Sequence, residues 1–381
     1  MKIAPLVEPG PELSASEIRR YARHLVLPGV GNLGQRRLAN AKVLCVGAGG
    51  LGSPVLMYLA AAGVGTLGVV DFDLVDESNL QRQVIHGQAD IGMKKVKSAE
   101  AKIAEINPYV KVNTHDFRLN RENVLDLFSQ YDLIVDGTDN FSTRYMINDA
   151  CVITNKPCVW GSVYRFDGQV SVFWPSHGPC YRCLHPVPPA QGLVPNCAEG
   201  GVLGSLCASI GSIQATETIK IITGTGTALI GSVLIYDGLE TTFDKITVSK
   251  DPSCVMCADP SSAQLLDDYD EFCGTLTYSS EITAEELAGR IRSGENFQLV
   301  DVREPHEWNE GYIEGAVLIP QAEFYDGRAQ EKISKKLPVV LYCHLGIRSA
   351  HALSALKHSG YENASHLLGG IVSWDEYMRN G

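Results

Sequence analysis

Three groups of residues in this sequence have the types and spacing to do chemistry. Gly47, Gly49 and Gly52 form a G-x-G-x-x-G turn, and Asp71 follows about 20 residues on. Such a turn opens a helix whose free N–H groups cradle phosphate, and the acid is placed to accept hydrogen bonds from a ribose. Cys180 with Cys183, and Cys254 with Cys257, are two C-x₂-C knuckles, which together make the ligand set of a tetrahedral four-cysteine zinc site. Cys343 opens the loop CHLGIR, closed by Arg348, whose N–H groups would face an anionic sulfur at a helix start.

Further polar residues gather in the sequence after the glycine turn. Ser78, Asn79 and Arg82 lie beyond a strand end, where open parallel sheets bind ligands. Arg82 can fork onto a polyphosphate, and Asn79 offers both donor and acceptor. Lys94, Lys95 and Lys97 begin a helix; lysine is unfavourable at that end of the dipole, which suggests that one of them faces an anion. In DGTDN, Asp136 and Asp139 are candidates for Mg²⁺, and one of the two is equally suited to cap the helix that follows. Cys197 belongs to neither knuckle. It reads either as a thiol activated near a helix N-terminus or as a small buried apolar group.

These residues need a scaffold to hold them. Val43 to Val46, Leu67 to Val70 and the apolar part of YDLIVDGTDN read as buried parallel strands, each followed by a helical pattern. Three such βα units predict a doubly wound α/β sheet. GQVSVFWP then alternates like an antiparallel strand, and the Pro- and Gly-rich stretch from Gly178 is long enough to be functional. A zinc at the knuckles would staple that loop to the end of the domain. Leu13 to Arg23 reads as one short basic helix capped by Ser14 or Ser16. Residues 261–280 are acidic and aperiodic, an interdomain linker in which YDEFCG could dock on a neighbour. Residues 281–381 form a second α/β unit, with a helix expected from Ala350 to His358.

Bulk properties narrow the function classes. The 381 residues suffice for two or three domains, and 45% hydrophobic with 20% charged residues is ordinary globular composition. A net charge of −12 argues against a non-specific nucleic-acid binder. The uncharged stretch from Val43 to Val70 is long enough to span a bilayer, but its glycines, Pro54 and alternating elements argue against that. MKIAPLVEPG lacks the order of an export signal, so a soluble cytoplasmic chain is expected. In that compartment the 11 cysteines point to metal binding or sulfur chemistry rather than disulfides.

Residues 11–260 resemble the MoeB/ThiF family, the bacterial relatives of ubiquitin-activating enzymes. The resemblance rests on RYARHL, GAGGLG, DFDLVDESNLQRQ, the cluster from Gly92 to Val96, DGTDN, CYRC, NCAEGGVLG and CVMC. Residues 281–381 resemble a rhodanese domain through DVREPHEW, GYIEGAVLIP and CHLGIRS. The resemblance implies a Rossmann-like adenylation domain with an antiparallel extension and a zinc site, followed by a small sulfurtransferase domain. It implies ATP as the nucleotide and the C-terminal Gly-Gly carboxylate of a ubiquitin-like sulfur carrier as substrate, with a persulfide or thiosulfate as sulfur donor. Gly50 and Asp71 would hold the adenosine half; Ser78, Asn79, Arg82 and Lys95 the phosphates; Asp139, beside Asn140, Mg²⁺. Arg23 would reach the neighbouring subunit's ATP, which implies a homodimer. Cys343 would carry the persulfide, and Cys197 matches a cysteine associated with a covalent carrier intermediate.

One spacing is discriminating. Four residues separate Cys343 from Arg348, one fewer than in the cysteine phosphatases, so the cradle suits a sulfur atom better than a phosphate. Two other classes stay in view. An NAD-dependent oxidoreductase fits the glycine turn and strand-end acid equally well, but would not need Arg82, Lys95 and Asp139 together. A non-catalytic scaffold would use the knuckles and the second unit for binding alone.

Overall fold

The computed structural model describes residues 2–189, 201–273 and 281–380. It divides into two compact units, the first ending at Cys273 and the second containing everything after it.

The first unit is built on one eight-stranded sheet. Its strands are β1 (Lys42–Val46), β2 (Thr66–Val70), β3 (Lys111–His115), β4 (Leu133–Asp136), β5 (Cys158–Tyr164), β6 (Asp167–Phe173), β7 (Ser232–Asp237) and β8 (Thr242–Thr247), in spatial order β3-β2-β1-β4-β5-β6-β7-β8. β3 through β5 pair in parallel, and β5 through β8 pair antiparallel. The expected doubly wound sheet with an antiparallel extension is what forms. The chain runs outward from β1 to β2 and β3 on one side and from β4 to β5 on the other. The loops after β1 and β4 therefore diverge and leave a crevice at the carboxyl edge.

Burial on both faces explains why these strands read as unbroken apolar runs. Val43 and Cys45 point into one core with Leu56, Ile103 and Ile221, whereas Leu44 and Val46 point into the other with Phe128, Tyr145 and Ile147. Helices α4 (Gly52–Ala62) and α5 (Lys95–Ile106), with the long Gly204–Thr223 helix, cover the first face; α6 (Val124–Ser129) and α7 (Phe141–Ile153) cover the second.

The N-terminal segment is not one helix. α1 (Ala15–Arg20) starts from a Ser14–Glu17 capping box and stops at Tyr21, before α2 (Ala22–Leu25). Tyr21 is the cause: its ring is buried against Gly63, and its hydroxyl accepts a hydrogen bond from Asn107 at 2.9 Å. The glycine-rich segment after it is also helical, α3 (Gly31–Asn40). No helix among the described residues is long and apolar enough to cross a membrane.

Residues 261–273 are not free chain. Tyr269 is buried, its hydroxyl donates to Asp149 at 2.9 Å, and Phe272 packs edge-on against Tyr145. Asp149 also receives a bidentate Arg182 at 2.8 and 2.7 Å, and Arg182 lies over the Tyr145 and Phe272 rings. One carboxylate thus ties α7, the first knuckle and the root of the linker together. Asp149→Ala would leave the buried guanidinium unpaired and is expected to cost about 3–5 kcal/mol. Urea unfolding followed by near-UV signal checks this; a loss below about 1 kcal/mol would contradict it.

The second unit is a five-stranded, all-parallel sheet. Its strands are β9 (Glu281–Ile282), β10 (Gln298–Asp301), β11 (Ala316–Leu318), β12 (Val339–Tyr342) and β13 (Ala364–Leu367), in spatial order β11-β10-β12-β13-β9. β10 and β12 are neighbours, so the loops after them meet at the carboxyl edge. Apolar residues again divide between two cores, Val339 and Leu341 facing one and Val340 and Tyr342 the other.

Candidate functional site

In the first unit the glycine turn lies at the switch between β1 and β4. Gly47 takes φ +94°, and a Cβ there would come 3.0 Å from the Gly137 carbonyl oxygen, so the two loops are in contact at their first residues, before they diverge. A Cβ on Gly52 would fall 1.9 Å from the Gly47 oxygen, which only glycine avoids. Gly50 lies between Cys207 and the Arg82 side chain.

Asp71 ends β2 beside this turn. Its carboxylate accepts the Ala48 and Asp73 N–H groups, each at 2.9 Å. Burial raises its pKa, against the opposing pull of Lys95. The Ala48 peptide is also held from its other side, because its carbonyl accepts from His86 Nε2 at 2.9 Å. Burial lowers the pKa of that imidazole. The sequence reading missed His86; a lone histidine in a polar stretch gives no pattern to find it by.

Lys95 is buried at the first position of α5, and its ammonium pairs with Asp73 at 2.8 Å. Lys94 and Lys97 likewise pair with carboxylates of the chain itself, Asp116 at 3.3 Å and Glu100 at 2.9 Å, so Lys95 is set apart by its burial. Ser78 is exposed and hydrogen-bonded to Asp76, in a 3₁₀ turn over Glu77–Asn79. Arg82 folds back to donate to the Ser78 carbonyl at 3.1 Å, while Asn79 is half-buried beside it.

Asp136 and Asp139 part company. Asp136 is fully buried at the end of β4, takes Thr138 N–H and hydroxyl on one oxygen, and has its pKa raised by burial. Asp139 is exposed. Neither caps α7: that role falls to Asn140, whose side chain accepts from Thr143 N–H at 2.9 Å. Sequence reasoning picked the wrong member of DGTDN because Asp and Asn cap equally well; the helix itself starts at Phe141, as expected. Arg23 is exposed on α2. Cys197 lies outside the described residues.

The two knuckles meet. Cys180 and Cys254 sulfurs lie 3.6 Å apart, Cys183 and Cys257 3.3 Å, and all four lie within 4.8 Å of one another. A tetrahedral zinc with bonds of about 2.3 Å needs sulfurs about 3.8 Å apart. The donor set and spacing therefore fit a four-thiolate metal. Asp251 N–H donates to Cys183 at 3.4 Å, the type of second contact that orients a metal ligand.

In the second unit Cys343 follows β12 with its side chain almost fully buried. Its sulfur accepts the Gly346 N–H at 3.1 Å and faces the Ser349 hydroxyl at 3.6 Å. The next helix begins at Ile347 rather than Ala350, which puts Arg348 and Ser349 in its first turn. The Arg348 guanidinium makes two parallel hydrogen bonds of 2.6 Å to Glu307, in the short helix Pro305–Trp308 that follows β10. That contact holds the Glu307 carboxyl at about 2, well below the usual carboxylate range. Because the folded value is depressed, the pair is complete above the ordinary carboxylate range and is lost only as pH falls toward 2.

A phosphate-binding turn at a switch point, a four-thiolate cluster and a buried sulfur in an N–H loop define a nucleotide-using unit joined to a sulfur-handling one. The model of the "ThiF family" matches residues 21–256, and that of the "Rhodanese-like domain" matches residues 283–377. The chain belongs to the ThiF family, with a rhodanese-like domain following. It is 52% identical over 99% of its length, and 97% of the relative's, to the "Probable adenylyltransferase/sulfurtransferase MoeZ" of Mycobacterium tuberculosis. It is 40% identical to the "Adenylyltransferase and sulfurtransferase MOCS3" of Drosophila ananassae, covering 95% of this chain and 84% of that one. The "Sulfur carrier protein adenylyltransferase" of Thermus thermophilus is 50% identical and covers 68% of this chain and 97% of its own. Among solved structures, E. coli MccB with ATP superposes with a TM-score of 0.56 at 21% identity, over 63% of this chain and 75% of that one, a likeness of fold.

Proposed function

We propose that this protein uses ATP to adenylate the C-terminal Gly-Gly carboxylate of a small ubiquitin-like sulfur carrier, and then converts it to a thiocarboxylate with sulfur held on Cys343. The supporting observation is the carboxyl edge shared by the parallel strands β2, β1 and β4. Asp71, Gly50 and the exposed Asp139 follow those strands, Lys95 pairs with Asp73 there, and Arg82 lies beside Gly50. A carboxylate is a poor acyl donor because oxide is a poor leaving group. Attack of its oxygen on the α-phosphate of ATP makes a mixed anhydride and releases pyrophosphate. Arg82 and Lys95, with Ser78 and Asn79, are assigned to the phosphates, where cations stabilise the charge that develops as pyrophosphate departs. Asp71 and Gly50 are assigned to the adenosine half.

Asp139 and Asn140 are assigned to Mg²⁺, which such sites hold through one or two carboxylates plus substrate phosphates. When bound, that ion neutralises phosphate charge. Arg23 is assigned to the phosphates of a partner subunit's ATP, which makes the working form a homodimer. Adenylation over residues 11–260, a linker over 261–280 and sulfur transfer over 281–381 remain the proposed division of labour.

For sulfur transfer, the terminal sulfur of a Cys343 persulfide attacks the activated carbonyl, the C–O bond to phosphate breaks, and AMP leaves. A thiol then attacks the Cys343 sulfur of the resulting acyl disulfide, the S–S bond breaks, and the thiocarboxylate departs with the electron pair, leaving Cys343 in a disulfide with that thiol. The Gly346 N–H already donates to the Cys343 sulfur, in the loop that would hold the anion. Cys197 is retained as the candidate for a covalent intermediate with the carrier. Pyrophosphate exchange into ATP, stimulated by a Gly-Gly-ended carrier, tests this reading; NADH binding in place of exchange would return the oxidoreductase reading.

The four cysteines are assigned to zinc in a structural role, since four protein ligands leave no open position for catalysis. Cys254→Ser, or prolonged chelation, is expected to lower the melting temperature and release about one zinc per chain. Metal analysis with a thermal melt checks this; a zinc-free chain that melts unchanged in chelator would contradict it.

A further inference from the structure

The charges around Cys343 bear on which sulfur donor it accepts. A sulfur oxyanion such as thiosulfate arrives as a dianion, and a site built for it would present an unpaired cation beside the thiol. The second unit has two guanidiniums in the relevant loops, and each is already matched. Arg348 is bidentate to Glu307 at 2.6 Å twice over. Arg303 is bidentate to Asp301 at 3.0 and 2.7 Å, donates to the Gly311 carbonyl and lies over the Tyr342 ring. Bidentate pairs of this kind are strong and fixed in direction, so neither cation is free to turn toward an incoming anion. Among the described residues of these loops, Glu304, His306 and His344 are exposed, and Glu281 faces His366 at 3.6 Å.

We infer that Glu307 selects the sulfur donor. By neutralising Arg348 it leaves Cys343 without a counter-charge for a dianion, and so favours donors of low charge, the persulfide class, over thiosulfate. The inference rests on the sulfurtransferase reading above and deepens it. The chemistry balances for either donor. With a persulfide R–S–S⁻, the Cys343 thiolate attacks the terminal sulfur, an Sγ–S bond forms, the donor S–S bond breaks, and RS⁻ leaves with the electron pair. With thiosulfate the same attack expels sulfite. No external oxidant or reductant enters; the two donors differ in charge and in the leaving group, thiolate or sulfite.

The test compares two donors with the same leaving-group chemistry and different charge, thiosulfate (a dianion) and benzenethiosulfonate (a monoanion), with cyanide as acceptor and the full-length protein. In Glu307→Gln the ratio of kcat/KM for thiosulfate to that for benzenethiosulfonate is expected to rise at least tenfold. The gain should lie mainly in KM and be erased by added salt, because it comes from one uncovered guanidinium. An unchanged ratio, or an equal change with both donors, overturns the inference while leaving the sulfurtransferase reading intact. If the wild-type protein forms no Cys343 persulfide with either donor, the underlying reading itself fails. Should Glu307→Gln not fold, the wild-type salt profile decides: an uncharged site predicts that salt does not weaken thiosulfate relative to benzenethiosulfonate. A steep loss specific to thiosulfate would mean that a free cation is present and the inference is wrong.

Discussion

Cys343→Ala is expected to abolish sulfur transfer from thiosulfate or a thiosulfonate, by at least about a thousandfold, while leaving adenylation at its wild-type rate. The first half follows from position: Cys343 is the cysteine at the end of β12 whose sulfur receives the Gly346 N–H. The second half follows from the division into two units, each with its own sheet and its own two cores. Loss of a buried sulfur in one should not disturb the crevice in the other. Sulfur-transfer and pyrophosphate-exchange assays on the same preparation decide it. Retained sulfur transfer would remove Cys343 from the chemistry, and a parallel fall in exchange would show that the two activities are not separable.

Arg82→Ala should do the reverse, cutting pyrophosphate exchange by about 10²–10³-fold with sulfur transfer from thiosulfate unchanged. Arg82 suits this test better than Lys95. Among the described residues its guanidinium donates to the nearby Ser78 carbonyl, and its side chain is only half-buried, so truncation leaves the core intact. Removing Lys95 would also delete a buried side chain at the start of α5 and mix a stability effect into the kinetics. Loss of exchange with an unchanged melting temperature would support the phosphate assignment. Exchange within about threefold of wild type would exclude a transition-state role for Arg82.

How much of this was legible in the sequence depended on whether a feature is local. The strands of the parallel sheet are buried on both faces, so they appear as short apolar runs, and Gly47 to Gly52 follows one of them at fixed spacing. Both survive intact in the structure. The knuckles also read correctly, because each C-x₂-C is local and only their meeting is long-range. What the sequence concealed are partners set by the fold. Glu307 pairs with Arg348 across 41 residues, and Tyr269 reaches Asp149 across 120. Asp73 faces Lys95 because β2 and α5 bring them together. Local choices between similar residues also misled: Asn140 took the cap expected of an aspartate, and Tyr21 divided a helix that pattern alone would continue.

The central claim is that the glycine turn from Gly47 to Gly52 is one wall of an adenylation site rather than of a dinucleotide site. Its most direct test is exchange of labelled pyrophosphate into ATP by the full-length protein, with and without a small ubiquitin-like carrier ending in Gly-Gly. Exchange should require the free C-terminal carboxylate and vanish when that carboxylate is amidated or the last glycine removed. Exchange indifferent to the carboxylate, or none with any such carrier, would contradict the account.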